Sequence, residues 1–137
     1  MDDALLRLRE RRFLDDAGFA SRYARSRLQH SGVGRNRLRA ALRAKGVTRE
    51  TAEAGLEDAL EQVSEAAVLD RVARHYWKSR TREEPQRKLR KLWAFLLRRG
   101  FPATLVLTRL RALWPRWQDA LDGLDPEEPE TGGEVED

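Results

Sequence analysis

The chain has 137 residues, 36% of them charged, with 27 Lys plus Arg against 23 Asp plus Glu and a formal net charge of +4. It contains no cysteine, which removes disulfides, thiolate chemistry and Cys-based zinc sites. No apolar run approaches the roughly 20 residues of a membrane span and the N-terminus lacks a signal-peptide core, so a soluble, cytoplasmic protein is expected.

In chain order, Ala4, Leu5 and Leu8 stand at helical spacing and predict a first helix within residues 1–14. Asp15 then reads as the N-cap of a second helix, with Leu14 and Phe19 at the two positions of a hydrophobic staple. That helix carries Phe19, Ala20, Tyr23, Ala24 and Leu28 to about His30, where the stretch from Ser31 to Gly34 breaks it. The next holds Leu38, Ala41 and Leu42 on one side and stops at Gly46, a residue suited to the left-handed position past a helix end. Thr48 caps a helix with Ala52, Leu56, Ala59, Leu60 and Val63, and Ser64 caps the one that carries Val68, Leu69, Val72 and Tyr76. A further helix runs through Arg99; Pro102 takes the first position of the last, which Pro115 ends or kinks after Trp114. From Asp122 onward, like charges with prolines and glycines predict a disordered tail over 122–137 with no place in the fold.

One segment is written twice. Residues 35–47 (RNRLRAALRAKGV) return 54 positions later as residues 89–101 (LRKLWAFLLRRGF). At that offset Leu38 matches Leu92, Leu42 matches Leu96, Gly46 matches Gly100 and Leu56 matches Leu110, while Tyr23/Trp77, Lys45/Arg99 and Val47/Phe101 keep their character. A unit too long for one helical hairpin predicts an all-α chain of tandem three-helix repeats, over 15–63 and 64–121, forming an elongated stack.

The run of residues 13–27 (FLDDAGFASRYARSR), followed by a glycine-containing loop, Leu38, Leu42 and the Lys45-Gly46-Val47 turn, resembles the RecX family of bacterial recombination regulators. The resemblance covers most of residues 5–114 and is most specific over Phe13–Arg27. Members typically carry three such repeats, and Met1 falls where the third helix of a first repeat would begin, so residues 1–14 are expected to form an orphan helix. The resemblance implies a monomeric regulator that binds the RecA recombinase and its filament on single-stranded DNA. It would lower strand exchange and ATP hydrolysis in homologous recombination and the SOS response.

Chemistry is largely excluded by absence. His30 and His75 lack neighbours at metal-ligand spacing, and His30 suits the negative end of a helix. Asp15 and Asp16 are accounted for by capping and the helix dipole, and the Gly32 to Gly34 loop lacks the strand and the Gly-Lys-Ser/Thr ending of a phosphate cradle. Trp77, Trp93 and Trp114 fall at periodic apolar positions, which favours packing over base stacking. No catalytic residue, metal site or cofactor is expected, and the chain is not read as an enzyme.

What remains is charge. All eight acids from Asp122 onward sit in a segment without Lys or Arg, so residues 1–121 carry 27 basic and 15 acidic residues, a net of +12. Residues 17–49 hold nine bases and no acid, residues 85–118 nine and no acid, and residues 50–65 six acids and no base. The candidate RecA- and DNA-contacting residues are therefore Arg35, Arg37, Arg39, Arg43 and Lys45 in the first unit and Lys88, Arg90, Lys91, Arg98 and Arg99 in the second. Two other readings stand beside the regulator: a basic helical module that contacts DNA without RecA, and a helical adaptor whose acidic tail or apolar 92–97 stretch docks a partner protein.

Overall fold

The computed structural model describes residues 3–124. Seven α-helices follow one another: α1 (Asp3–Ser31), α2 (Arg35–Ala44), α3 (Arg49–Gln62), α4 (Glu65–Ser79), α5 (Pro85–Arg98), α6 (Ala103–Leu113) and α7 (Gln118–Asp122), with a 3-10 turn at Pro115–Trp117 before the last. No strand occurs among the described residues. The fold is all-α, built of three-helix repeats.

The break expected at Asp15 is absent. α1 runs unbroken for 29 residues, about 43 Å at the usual rise, so Asp15 lies mid-helix and caps nothing. Leu14 and Phe19 are 67% and 39% exposed and form no staple. The physical reason is local. Between Arg12 and Ala17 there is neither proline nor glycine, and a mid-helix Asp costs less than about 0.7 kcal/mol, too little to stop a helix already propagating. Within the expected separate helix over 1–14, residues 3–14 are thus the N-terminal part of α1, and Leu5, Leu6 and Leu8 there are exposed.

The rest of α1 packs along α3 through small residues. Ala20 and Ala24 are fully buried, as are Ala52 and Ala59 opposite, and a Cβ on Gly55 would stand 2.4 Å from that of Ala20. α2 closes this unit with Leu38 and Leu42. Thr48 and Ser64 cap α3 and α4 as expected, each hydroxyl accepting an amide three residues on, from Thr51 and Ala67. The second unit, α4 to α6, has the bulkier core: Leu69, Leu89, Leu92, Leu96, Phe101 and Val106 are almost fully buried. Trp77 and Trp114 meet at 4.8 Å between ring centroids and Tyr76 and Phe95 at 4.9 Å, an arrangement that fits the packing role expected of the tryptophans. The 92–97 stretch, apolar all round, is buried or half-buried throughout.

Two boundaries at the C-terminal end need correction. Pro102 is the N-cap of α6 rather than its first residue: its carbonyl accepts from Val106 while its own backbone is extended. The tail does not begin at Asp122. That residue ends α7 and pairs with Arg111 at 3.0 Å, while Leu121 is fully buried and Leu124 rests on the core. Composition hid α7, because one buried leucine in five residues is too short a signal for a periodicity. Residues 125–137, the rest of the expected tail, lie outside the described residues.

Candidate interaction surface at and around the repeat junction

The two units meet where the N-terminus of α2 faces the C-terminus of α5. α2 has no side-chain cap of its own, so its first amides need acceptors from elsewhere. The second unit supplies them: Gly34 N–H donates to the Arg99 carbonyl at 2.7 Å, Asn36 N–H to the Gly100 carbonyl at 2.9 Å, and Arg35 N–H to Glu65 Oε2 at 2.8 Å. Glu65 Oε1 also accepts from Arg35 Nε at 2.8 Å, and the Glu65 side chain is only 4% exposed. Glu65 therefore holds two donors of one residue, giving a buried carboxylate the charged partner it requires. In return, the Arg99 guanidinium donates to the carbonyls of Ser31 and Gly32 at the end of α1. The junction is a head-to-tail exchange of helix-end groups, which leaves few orphan amides or carbonyls on either side.

The ten candidate basic residues do not share one setting. Arg35, Arg37 and Arg99 belong to the junction, Arg37 with its backbone against Gly100. Arg39 pairs with Glu53 across α2 and α3 and also donates to Asn36 at 2.8 Å; Lys91 pairs with Glu83 at 3.1 Å. The hydrogen bond from Arg39, together with the fields of Arg39, Arg49 and Arg35, holds the Glu53 carboxyl below its ordinary range against a smaller opposing effect of burial. Arg109, outside the candidate set, is held above its ordinary range by Asp70, which accepts two of its bonds at 2.8 and 2.7 Å.

Lys88 departs most from expectation. It is 5% exposed, donates to the carbonyls of Trp77 at 3.1 Å and Arg80 at 2.8 Å, and lies 3.9 Å from the centroid of the Trp77 ring. It caps the end of α4 from inside the unit and is not a surface cation. Arg98 is half-buried, whereas Arg43, Lys45 and Arg90 are exposed and pair with no carboxylate among the described residues. Among the ten candidates, the exposed charges that pair with no carboxylate are therefore fewer than the composition implies and lie at the C-terminal end of α2 and the middle of α5. Among the described residues no three acidic or histidine side chains converge as a metal site would require.

The comparisons with known proteins fall on these same units. The profile of the second three-helix domain of RecX matches residues 15–56, and that of the third three-helix domain matches residues 64–108. The chain belongs to the RecX family. Arg35 to Lys45 lie in the segment matched by the second RecX domain and Lys88 to Arg99 in that matched by the third. The regulatory protein RecX of Mycobacterium leprae is 37% identical over 97 residues, covering 68% of this chain and 54% of that relative. The regulatory protein RecX of Mycobacterium ulcerans is 36% identical over 109 residues, 77% of this chain and 61% of the relative. That of Pelodictyon phaeoclathratiforme is 36% identical over 117 residues, 85% and 66% respectively. The chain thus spans between half and two thirds of the length of these RecX relatives. No solved structure matches it.

The structure adds to the junction and its surroundings Glu65, which the sequence pattern held only as one of six acids, and Arg71, Arg80 and His75, which line the cleft between the units and which the pattern did not link to it. A signal for the first existed. At the 54-residue offset Glu65 falls opposite Arg11 and Gly34 opposite Lys88, so the repeat breaks at the positions that face a neighbouring unit.

Proposed function

We propose that the chain is a regulator of the RecA recombinase that engages the RecA filament on single-stranded DNA and lowers its strand exchange and ATP hydrolysis, with no turnover of its own. The observation that carries this reading is membership of a family of regulatory proteins, in a chain whose two matched units each present an exposed cation cluster: Arg43 and Lys45 on one, Arg90 and Lys91 on the other. Two binding points on one rigidly joined pair of units engage an extended partner together, so each raises the effective concentration of the other. Of the ten candidate residues, these four are assigned to the partner, while Arg35 and Lys88 are assigned to holding the fold. The working site is cytoplasmic, beside DNA; no helix among the described residues is long and apolar enough to cross a membrane.

The test is RecA ATP hydrolysis on single-stranded DNA, with and without this protein. A slowed rate at sub-stoichiometric protein is the expected result. A second reading, direct DNA binding without RecA, is favoured by the net charge of +12 over residues 1–121. Unchanged RecA kinetics alongside salt-sensitive DNA binding would select it.

A further inference from the structure

α1 leaves one face without a partner. Ala20, Ala24 and Leu28 lie on its buried side. The opposite side carries Leu5, Leu8, Arg12, Asp15, Phe19 and Arg22, all exposed and spaced at alternating steps of three and four. Leu5, Leu8, Arg12 and Asp15 line a shallow groove of about 560 Å³ whose walls come from α1 alone. Leu8 is 62% exposed, and residues 3–14 have little beyond helix propensity to keep them ordered.

The spacing is that of a seam between two helices. Apolar or paired positions that recur every 3.5 residues stay on one side of a helix, and the stripe from Leu5 to Arg22 runs about five turns, or roughly 27 Å. The stripe is also complementary to itself. If a second copy lies antiparallel about a two-fold axis level with Phe13 and Leu14, Leu8 meets Phe19 of the second copy, Leu5 meets the aliphatic stem of Arg22, and Arg12 meets Asp15, each contact being made twice. Arg12 and Asp15 pair with nothing among the described residues, so both charges are free for this role. In a parallel arrangement Arg12 would face Arg12 and Asp15 would face Asp15, and like charges would oppose the pairing. A polar pair inside an apolar seam costs stability and in return fixes direction and register.

We propose that two copies of this chain associate through α1 as an antiparallel helix pair, with Leu8 against Phe19 and Arg12 against Asp15. This departs from the monomer that the family resemblance implies. It uses none of the four cations assigned to the regulatory partner, so it stands or falls separately from that reading. One helix pair buries less than the roughly 1,200 Å² at which stable interfaces begin, so the dimer is weak, half formed at about 100 μM.

Sedimentation equilibrium of the full chain from about 10 to 500 μM should show the dimer fraction rising through one half. Arg12→Asp and Asp15→Arg each place like charges in both polar contacts, and each alone should sediment as a monomer. An equimolar mixture of the two restores opposite charges across both contacts and should dimerise about as well as the parent. Mixing cannot rescue a variant whose own helix has merely been weakened, so the mixture separates association from local stability. The chain has no cysteine, so Leu8→Cys and Phe19→Cys report the register. Under mild oxidation these two variants should crosslink to each other, and neither to itself. Leu8→Cys linked to itself would mean a parallel pair and would overturn the proposal, as would a mixture of the charge variants no more dimeric than its components. A parent that stayed monomeric over the whole range would also overturn it, leaving the face to a helix of a different protein.

Discussion

Gly46 and Gly100 end equivalent helices with almost the same backbone, φ +92° and +97°, yet they do different work. A Cβ at Gly46 would meet nothing within 4 Å. At Gly100 it would stand 2.5 Å from both the backbone nitrogen and the Cβ of Arg37. One glycine terminates a helix; the other terminates a helix and lets a second unit come close enough to exchange backbone hydrogen bonds with the first. Identical local signals thus acquire different weights once the units are stacked.

Substitutions can separate the two contributions. Gly100→Ala should be the most damaging, since left-handed strain of about 1–2 kcal/mol adds to steric displacement of about 1–3 kcal/mol; urea unfolding should show a loss of roughly 3 kcal/mol. Gly34, at φ −98°, has no left-handed strain, but its Cβ would lie 2.5 Å from Phe101 N, so Gly34→Ala isolates the crowding. It should cost about 1–3 kcal/mol. Gly46→Ala isolates the strain and should cost only about 1–2 kcal/mol. If Gly46→Ala proved as damaging as Gly100→Ala, close approach of the units would not be what distinguishes the two ends.

Removing charged groups extends the same contrast between buried and exposed positions. Glu65→Ala strips two junction donors of their acceptor and should destabilise by about 2–3 kcal/mol in the same unfolding measurement. Lys88→Ala should cost about 2 kcal/mol, while Lys91→Ala, three residues on at an exposed pair, should cost less than about 0.5 kcal/mol. Equal effects from the two lysines would contradict the interior position of Lys88. Asp15→Ala, which would lose about 1 kcal/mol if Asp15 were a cap, should instead leave the melting temperature unchanged or slightly raised, because alanine is the better mid-helix residue.

The smallest effect concerns pH. Because Arg39 holds the folded-state Glu53 carboxyl below its ordinary value of 4.5, its stabilisation is present in full above that value. It disappears as pH falls below 4.5 toward the lowered value and the folded state too takes up the proton. With both side chains over one third exposed, at 37% and 44%, the contribution is only a few tenths of a kcal/mol. The difference in unfolding free energy between the parent and Glu53→Gln should therefore shrink on acidification; a difference that grew would reverse the assignment.

Much of the fold was legible from spacing. Apolar residues at steps of three and four located the long helices, and Thr48, Ser64, Gly46 and Gly100 marked ends that the structure places within a residue or two. Asp15 misled because a good cap residue does not stop a helix unless the chain must turn there, and the mostly exposed residues of α1 before Asp16 bury nothing that would make it turn. The candidate interface was less legible. Lys88 and Arg90 look alike as members of a basic block, but whether a lysine caps a neighbouring helix or faces water depends on where Trp77 and Arg80 present their carbonyls.

By itself the sequence determined that the chain is helical, that a three-helix pattern recurs at an offset of 54 residues, and that its body carries an excess of positive charge. These follow from periodicity, cap chemistry and composition, all of which act within a few turns of chain or as a sum over it. Only the tertiary structure decided which cations are spent inside the fold, that Glu65 and the carbonyls of Arg99 and Gly100 complete the start of α2, and that the cleft between the units is lined by arginines and rings without an acid. Lys88 finds its partners 8 and 11 residues away across a turn, and the junction bonds join residues about 30 to 70 apart; no helical periodicity encodes either meeting.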